Sequence, residues 1–157
     1  MSHRDLETLP GHLIRRLQQI AVALFTASMA EADIDLTAVQ FAAMLTLRDH
    51  PGLDQQTLAG LIAYDRVTLG GVIDRLVQKD LVARETSPTD RRARILTLTG
   101  EGRAVLDRAI PFVDQVQDDI LAGLTDAEQE TFVTLLSKLT RAGNELSRAP
   151  LRGAEKP

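Results

Sequence analysis

The fold is read most directly from residues 65–102, which run DRVTLGGVIDRLVQKDLVARETSPTDRRARILTLTGEG. Asp65 is suited to cap the start of a helix. Four apolar residues recur after it at helical spacing: Leu69, Val72, Ile73 and Leu76. Residues 81–86 and 94–98 are typical of strands, and the Ser-Pro-Thr-Asp segment between them has turn chemistry. The stretch therefore predicts a helix followed by a β-hairpin with an arginine-rich tip, and Ile95 with either Leu96 or Leu98 should face inward.

Three more helices are predicted upstream of residue 65. The first covers residues 10–31, where apolar side chains follow three- and four-residue steps. Thr37 and Gln40 have the spacing of a capping box and begin a second helix that ends near His50. Asp54 begins a short third helix. Helices two to four and the hairpin together form a winged helix-turn-helix.

Two long helices are predicted after the hairpin. One begins after Thr99 and contains Pro111, where we expect a kink or a register shift. Thr125 and Glu128 form another capping box and begin the last helix. A winged core of about 60 residues cannot bury the apolar stripes of the terminal helices as well. We therefore expect the terminal helices to pack against those of a second copy across a two-fold axis.

The predicted fold is mainly α with a small β-hairpin: a winged helix-turn-helix flanked by long dimerisation helices. Residues 1–34 form the N-terminal dimerisation helix, 35–99 the winged domain and 100–148 the C-terminal dimerisation helices. Residues 149–157 lose periodicity and should form a flexible tail.

Composition excludes several classes of protein. Hydrophobic residues make up 44% of the 157 residues and charged residues 25%, which is ordinary for a globular domain. The chain has no cysteine, so disulfides, thiolate zinc sites and thiol redox sensing are excluded. No apolar run approaches the roughly 18 residues of a membrane span, and no signal-peptide core is visible, so we expect a cytoplasmic protein.

The charge is unevenly distributed. The net charge of −4 argues at first against a nucleic-acid partner. Residues 64–103, however, hold eight Lys and Arg against six acids, whereas both flanks are acidic. The basic excess is concentrated at four arginines: Arg84, Arg91, Arg92 and Arg94.

The fourth helix has a small, weakly charged outer face. With Leu69 at the centre of the buried face, the outer positions are Val67, Gly71, Asp74 and Gln78, flanked by Thr68, Gly70 and Arg75, with Arg66 in the first turn. We expect Arg66, Val67, Thr68, Gly70, Gly71, Arg75 and Gln78 to contact DNA. Two mid-helix glycines cost about 1 kcal/mol each relative to Ala. Close approach to DNA, or tight packing against helix three, would offset that cost.

The hairpin tip carries Asp90, Arg91, Arg92 and Arg94, which we expect to enter a minor groove beside the helix. Asp90 is predicted to hold one arginine in place through a charge-assisted hydrogen bond. The alternative is that Asp90 only forms the turn.

Residues 36–102 resemble the MarR family of bacterial transcriptional regulators. The resemblance is carried by the wing pattern Asp90-Arg91-Arg92 followed by Leu98-Thr99-x-x-Gly102, and by Asp74-Arg75-Leu76 before Leu81-Val82 and Arg84. It implies an obligate homodimer on a pseudo-palindromic operator and repression relieved by a small ligand, often an aromatic carboxylate or phenol. The family's wing arginine corresponds to Arg92. The chain departs from the common pattern at Gly70-Gly71, and it lacks the reactive cysteine of peroxide-sensing members.

The ligand in this family commonly lies between the dimerisation helices and the DNA-binding lobe. His12, Arg16 and Gln19 over Phe41 could hold an aromatic acid there. The alternative is that Arg16 pairs across the dimer and His12 is a surface residue. No spacing of histidines and carboxylates predicts a metal site, and no cofactor is expected.

The residues also bear on two other functions, an enzyme and a protein-interaction module. No nucleophile–base set, phosphate-binding glycine loop or paired acids in a cleft indicate an enzyme. A winged protein-interaction module without DNA binding has the acidic net charge and Gly70-Gly71 as its support.

Overall fold

The structure is a computed structural model that describes residues 5–153. Within that range the chain forms six α-helices and one antiparallel hairpin, so the predicted fold class is confirmed. The elements are α1 (Pro10–Glu31), α2 (Ala38–Asp49), α3 (Gln55–Leu61), α4 (Arg66–Gln78), β1 (Val82–Thr86), β2 (Arg94–Leu98), α5 (Gly100–Leu121) and α6 (Asp126–Ala142).

Side-chain caps fix where the helices begin, as the sequence predicts. Thr37 and Gln40 form a reciprocal capping box at α2, with hydrogen bonds of 3.0 and 3.2 Å. Asp54 accepts from the Thr57 amide at 2.8 Å at the start of α3. These carboxylate and hydroxyl acceptors satisfy amides that have no partner inside the helix.

The hairpin pairs Val82 with Leu98 at its base and Thr86 with Arg94 near its tip. An isolated bridge that sequence patterning missed pairs Leu53, ahead of α3, with Leu96 of the hairpin. Leu96 is buried and Leu98 is half-buried against the core, whereas Ile95 lies outside the core cluster, so the prediction for Ile95 is wrong. Successive strand residues face opposite sides, and Leu96 takes the inward side.

The core of the winged lobe is closed by α5. Its fully buried side chains come from α2, α3, α4, both strands and α5: Met44, Leu47, Leu58, Leu69, Ile73, Leu76, Val82, Leu96 and Leu106. Gly102 lies so close to the Leu81 carbonyl that a Cβ would lie 1.9 Å from its oxygen. Any larger residue at position 102 would push α5 off the hairpin.

The outer helices are much less buried. In α6 no residue is buried, and Val133, Leu135, Leu136 and Leu139 are exposed. The N-terminal half of α1 also exposes Leu13 and Ile14. α5 continues through Pro111, and a kink there stays a prediction.

The segment predicted to be a frayed tail from residue 149 contacts α3 through Arg152. Its last four residues, 154–157, lie outside the described residues. Residues 1–4 of the predicted N-terminal dimerisation helix also lie outside that range.

Candidate nucleic-acid interface

The outer face of α4 is exposed as predicted. Val67 is 86% exposed, although it is a large apolar residue. Gly71, Asp74 and Gln78 follow it along the same exposed stripe, whereas Leu69 is fully buried on the opposite side. An apolar side chain held in solvent at the start of a helix is suited to contact a thymine methyl group.

The two glycines of α4 have different surroundings. A Cβ on Gly71 would meet nothing within 4 Å, so packing against α3 does not explain this glycine. A Cβ on Gly70 would lie 3.4 Å from the Gln55 side-chain nitrogen, at the end of a flexible side chain on α3. Gly71 therefore leaves a smooth surface, which favours the alternative of close approach by another molecule.

Thr68 and Asp65 are joined at the first turn of α4. The Asp65 carboxylate accepts hydrogen bonds from the Thr68 amide at 2.9 Å and from the Thr68 hydroxyl at 2.8 Å. These bonds, the amide first, hold the pKa of Asp65 below its usual range. Asp65 therefore caps the helix, and the Thr68 hydroxyl, whose proton Asp65 accepts, keeps only acceptor capacity for a base or a water.

The wing tip is shaped by Asp90, although not as the sequence predicts. The Asp90 carboxylate accepts from the backbone amide of Arg92 at 2.9 Å, and the Ser87 hydroxyl accepts from the Asp90 amide at 3.3 Å. No ion pair joins Asp90 to an arginine within residues 5–153. Asp90 is thus a turn former, and among residues 5–153 the predicted hydrogen bond to a guanidinium does not occur.

The arginines of the tip point into solvent. Arg91, Arg92 and Arg94 are exposed, and within residues 5–153 Arg94 alone of the three has a side-chain hydrogen bond, donated to the Thr86 hydroxyl at 3.4 Å. In the part of the chain that the structure describes, no carboxylate neutralises these three or Arg66 and Arg75. The tip and α4 therefore carry exposed guanidinium groups that are available to an anionic partner.

Two ion pairs that sequence reasoning missed hold α4 in place. Arg84 of β1 donates to Asp74 of α4 at 2.6 Å, which ties the wing to the outer edge of the helix. Lys79 contacts Asp35 at 2.7 Å and ties the end of α4 to the α1–α2 loop. The sequence signal for the first pair was an acid in α4 and an arginine ten residues later in the first strand.

The predicted effector residues are only partly together. His12 and Gln19 lie on one stripe of α1, but the arginine that contacts them is Arg15, at 3.2 and 3.3 Å, and not Arg16. Positions 12, 15 and 19 share a helix face, because three- and four-residue steps return to the same side. Phe41 is buried in an edge-to-face contact with Phe25, 6.3 Å between ring centroids.

Two cavities lie along α1, and neither is lined by the four predicted effector residues. One, of about 560 Å³, lies beside the α1–α2 loop and includes Phe25, Met29 and Asp33. The other, of about 410 Å³, lies between α1 and α5 and includes Ser28 and Phe112. The ligand site predicted at His12, Arg16, Gln19 and Phe41 therefore stays a prediction.

Metal ligands and membrane-spanning helices are two further features that the described residues could have carried. Among residues 5–153, no three His, Asp or Glu side chains are grouped so that they could hold a metal ion. None of the helices in that range has both the length and the apolar character needed to cross a bilayer.

Comparisons with known proteins agree with this geometry. Residues 36–93 match the model of the MarR family. The chain is 34% identical to the HTH-type transcriptional repressor NicR of Pseudomonas putida over 135 residues, covering 86% of this chain and 84% of NicR.

Two solved structures are similar over most of both chains. PcaV of Streptomyces coelicolor, a transcriptional regulator in complex with its natural ligand, has a TM-score of 0.81 and 34% identity over 91% of this chain and 99% of PcaV. BpsR of Bordetella bronchiseptica, whose DNA binding is regulated by 6-hydroxynicotinic acid, has a TM-score of 0.81 and 36% identity, with 87% and 96% covered. The chain is thus a DNA-binding transcriptional regulator and not an enzyme, and it belongs to the MarR family.

Proposed function

We propose that this chain acts in the cytoplasm as a homodimeric repressor that a small aromatic carboxylate releases from a pseudo-palindromic operator. Each α4 lies in a major groove and each wing tip enters the adjacent minor groove. The observation that carries the proposal is the juxtaposition of exposed Arg91 and Arg92 with the smooth Val67–Gly71 face, held together by the Asp74–Arg84 ion pair.

The dimer is supported by the apolar faces that one chain leaves open. Leu135 and Leu139 of α6 are 54% and 66% exposed, and Ile14 of α1 is 61% exposed. Burial of apolar area at about 25 cal/mol per Å² makes a second copy of these helices the natural partner. A dimer also supplies the two-fold symmetry that a pseudo-palindromic operator requires.

The effector is proposed to be held through Arg15. Arg15 presents a planar guanidinium between His12 and Gln19, and such a group suits the two oxygens of a carboxylate. The regulation of BpsR by 6-hydroxynicotinic acid, an aromatic carboxylate, supports this ligand class. The partner's helices would cover the exposed side of this cluster in the dimer.

Operator binding is tested with duplexes selected by the purified protein from a randomised library. We expect enrichment of two inverted half-sites about one helical turn apart, and tight binding that weakens steeply as salt rises. A gel shift on the selected duplex and on a scrambled duplex measures both. Failure to enrich any duplex, with a folded dimer, would leave a protein-interaction module as the better description.

Effector binding is tested with 6-hydroxynicotinic acid and a small panel of benzoic acids, read by calorimetry and by release of the selected duplex. We expect Arg15→Ala to lose ligand binding and duplex release, because the carboxylate loses its charged partner. Arg16→Ala, one residue away on another face of α1, is the matched control and should respond like the wild type. Loss of the response in Arg16→Ala alone would contradict the assignment of Arg15.

A further inference from the structure

The chain does not stop at the end of α6. A short 3-10 turn, Asn144–Leu146, reverses its direction, and residues up to Gly153 return to the winged lobe. The Asn144 side-chain amide holds the returning segment at Leu151: its oxygen accepts from the Leu151 backbone nitrogen at 2.8 Å and its nitrogen donates to the Leu151 carbonyl at 3.2 Å. One side chain thereby closes a loop between residues seven apart in sequence.

An ion pair closes the same loop a second time. The Arg152 guanidinium donates to both oxygens of Glu145, at 2.6 and 3.1 Å. The hydrogen bond from Arg152 holds the pKa of Glu145 below its usual range, so the carboxylate is ionised at neutral pH. The bidentate geometry fixes the direction of the returning segment as well as its position.

The closed loop contacts α3 backbone to backbone. The Arg152 amide donates to the Gly60 carbonyl at 2.8 Å. A Cβ on Gly60 would lie 2.9 Å from the Arg152 Cβ, so the contact requires glycine at position 60. Gly153 has a φ of +80°, which favours glycine. A Cβ added to Gly153 would lie 3.0 Å from a methyl group of Leu61.

This contact links the C-terminal end of α6 to the winged lobe. α6 contains no buried residue, and its C-terminal end is joined to the winged lobe through the loop. α3 packs directly on α4, which carries the exposed face described above. Residues 144–153 therefore join the end of α6 to α3, the helix on which the recognition helix α4 packs.

We propose that residues 144–153 form a clasp that positions α3 and α4 relative to α6, and so sets the distance and angle between the two recognition helices of the dimer. This inference rests on the proposed binding to two half-sites. Asn144, Glu145 and Arg152 act here as positioning residues, because they reach DNA through α3 and α4. With the clasp closed, the dimer accepts one half-site spacing, and with it open the lobes swivel and accept several.

The test compares binding to the selected duplex with binding to versions that carry one base pair more or fewer between the half-sites. One base pair turns the second half-site by about 35° and shifts it by about 3.4 Å. The wild type should lose about tenfold or more in affinity on either altered duplex. Asn144→Ala should lose less than about threefold, because the opened clasp lets each lobe follow its half-site.

Asn144→Ala changes no charge, so an altered contact with phosphate does not explain its result. Arg152→Ala, which breaks the Glu145 pair, should give the same loss of discrimination, and Arg141→Ala on the last turn of α6 is the matched surface control. Circular dichroism and sedimentation establish that each variant is a folded dimer. Wild-type discrimination in both clasp variants overturns the proposal, whereas failure of the wild type to bind any duplex overturns the proposed function instead.

Discussion

The recognition helix α4 and the tip of the β1–β2 hairpin present different chemistry to solvent. The outer stripe of α4 offers a valine and a glycine before its first charge, and that charge, Asp74, is already paired with Arg84. The hairpin tip offers three exposed arginines on a turn organised by Asp90. The difference indicates a division of roles, in which the wing supplies electrostatic affinity and α4 reads the shape and methyl groups of the major groove.

The largest expected effect is at the wing. Arg92→Ala removes one guanidinium from each subunit, and the affinity for the selected duplex should fall about 100-fold or more. The slope of log K against log salt should also become shallower by about 2 for the dimer. Fluorescence polarisation across a salt series measures both.

Arg103→Ala, at an exposed position of α5, is a suitable control for loss of a positive charge. An unchanged salt slope in Arg92→Ala would place the electrostatic contacts elsewhere on the molecule.

A smaller, sequence-dependent effect is expected at α4. Val67→Ala removes an 86% exposed side chain and should cost about tenfold in affinity through lost contact with thymine methyl groups. Replacing the thymines of the half-sites by deoxyuridine should weaken the wild type and leave the variant nearly unchanged. Equal sensitivity of the two proteins to deoxyuridine would show that Val67 reads no methyl group.

Substitution of Gly71 is expected to stabilise the fold and to weaken DNA binding. Gly71→Ala should raise the free energy of unfolding by about 1 kcal/mol, because the helix gains propensity and the added Cβ meets open space. The same methyl group should lower DNA affinity about fivefold if the DNA surface approaches the helix there. Denaturant unfolding and duplex binding are measured on one preparation.

Gly70→Ala is the matched control for Gly71→Ala, since its Cβ would face Gln55 of α3 and not the outer stripe. If Gly71→Ala is more stable and binds DNA with wild-type affinity, the DNA surface does not approach α4 closely at Gly71.

The smallest expected effect is a difference in pH dependence between the start of α4, which has a titrating cap, and the wing, which has none. The pKa of Asp65 is lowered by the amide and hydroxyl of Thr68, so its cap stabilises the folded state fully above the ordinary Asp pKa of about 4. This contribution is lost as pH falls from there through the lowered pKa of the folded state. The arginines of the wing keep their charge throughout. Asp65→Asn keeps a capping oxygen without the titration, and its Tm should fall less than that of the wild type between neutral pH and about pH 3. If the Tm of the wild type and of Asp65→Asn fell equally with pH, Asp65 would not contribute to the loss of stability in acid.

Much of the fold could be predicted because its signals are local. The caps at Thr37, Asp54 and Asp65 each satisfy amides within three residues, so the sequence alone places the starts of α2, α3 and α4. Gly102 was recognised as part of a motif, but its physical reason, the Leu81 carbonyl against it, required the structure. The bridge between Leu53 and Leu96 joins residues far apart in sequence and left no local pattern.

The candidate site was less predictable because its details depend on side-chain direction. Asp90 was expected to hold a guanidinium, yet a short side chain in a tight turn reaches the nearest amide first. The sequence predicts Arg16 beside His12 and Gln19, whereas Arg15 contacts them in the structure, because one residue along a helix changes the face by about 100°. The clasp was missed because it depends on a contact between Arg152 and Gly60, which no periodicity reports.

Hydroxyl-radical footprinting of the selected duplex, with dimethyl sulfate protection in parallel, tests the division of roles most directly. For the wild type we expect minor-groove protection beside each half-site and major-groove protection within it. Arg92→Ala, at a protein concentration that saturates the duplex, should lose the minor-groove protection and keep the major-groove protection. A minor-groove footprint that survives intact in Arg92→Ala would contradict the assignment of the wing.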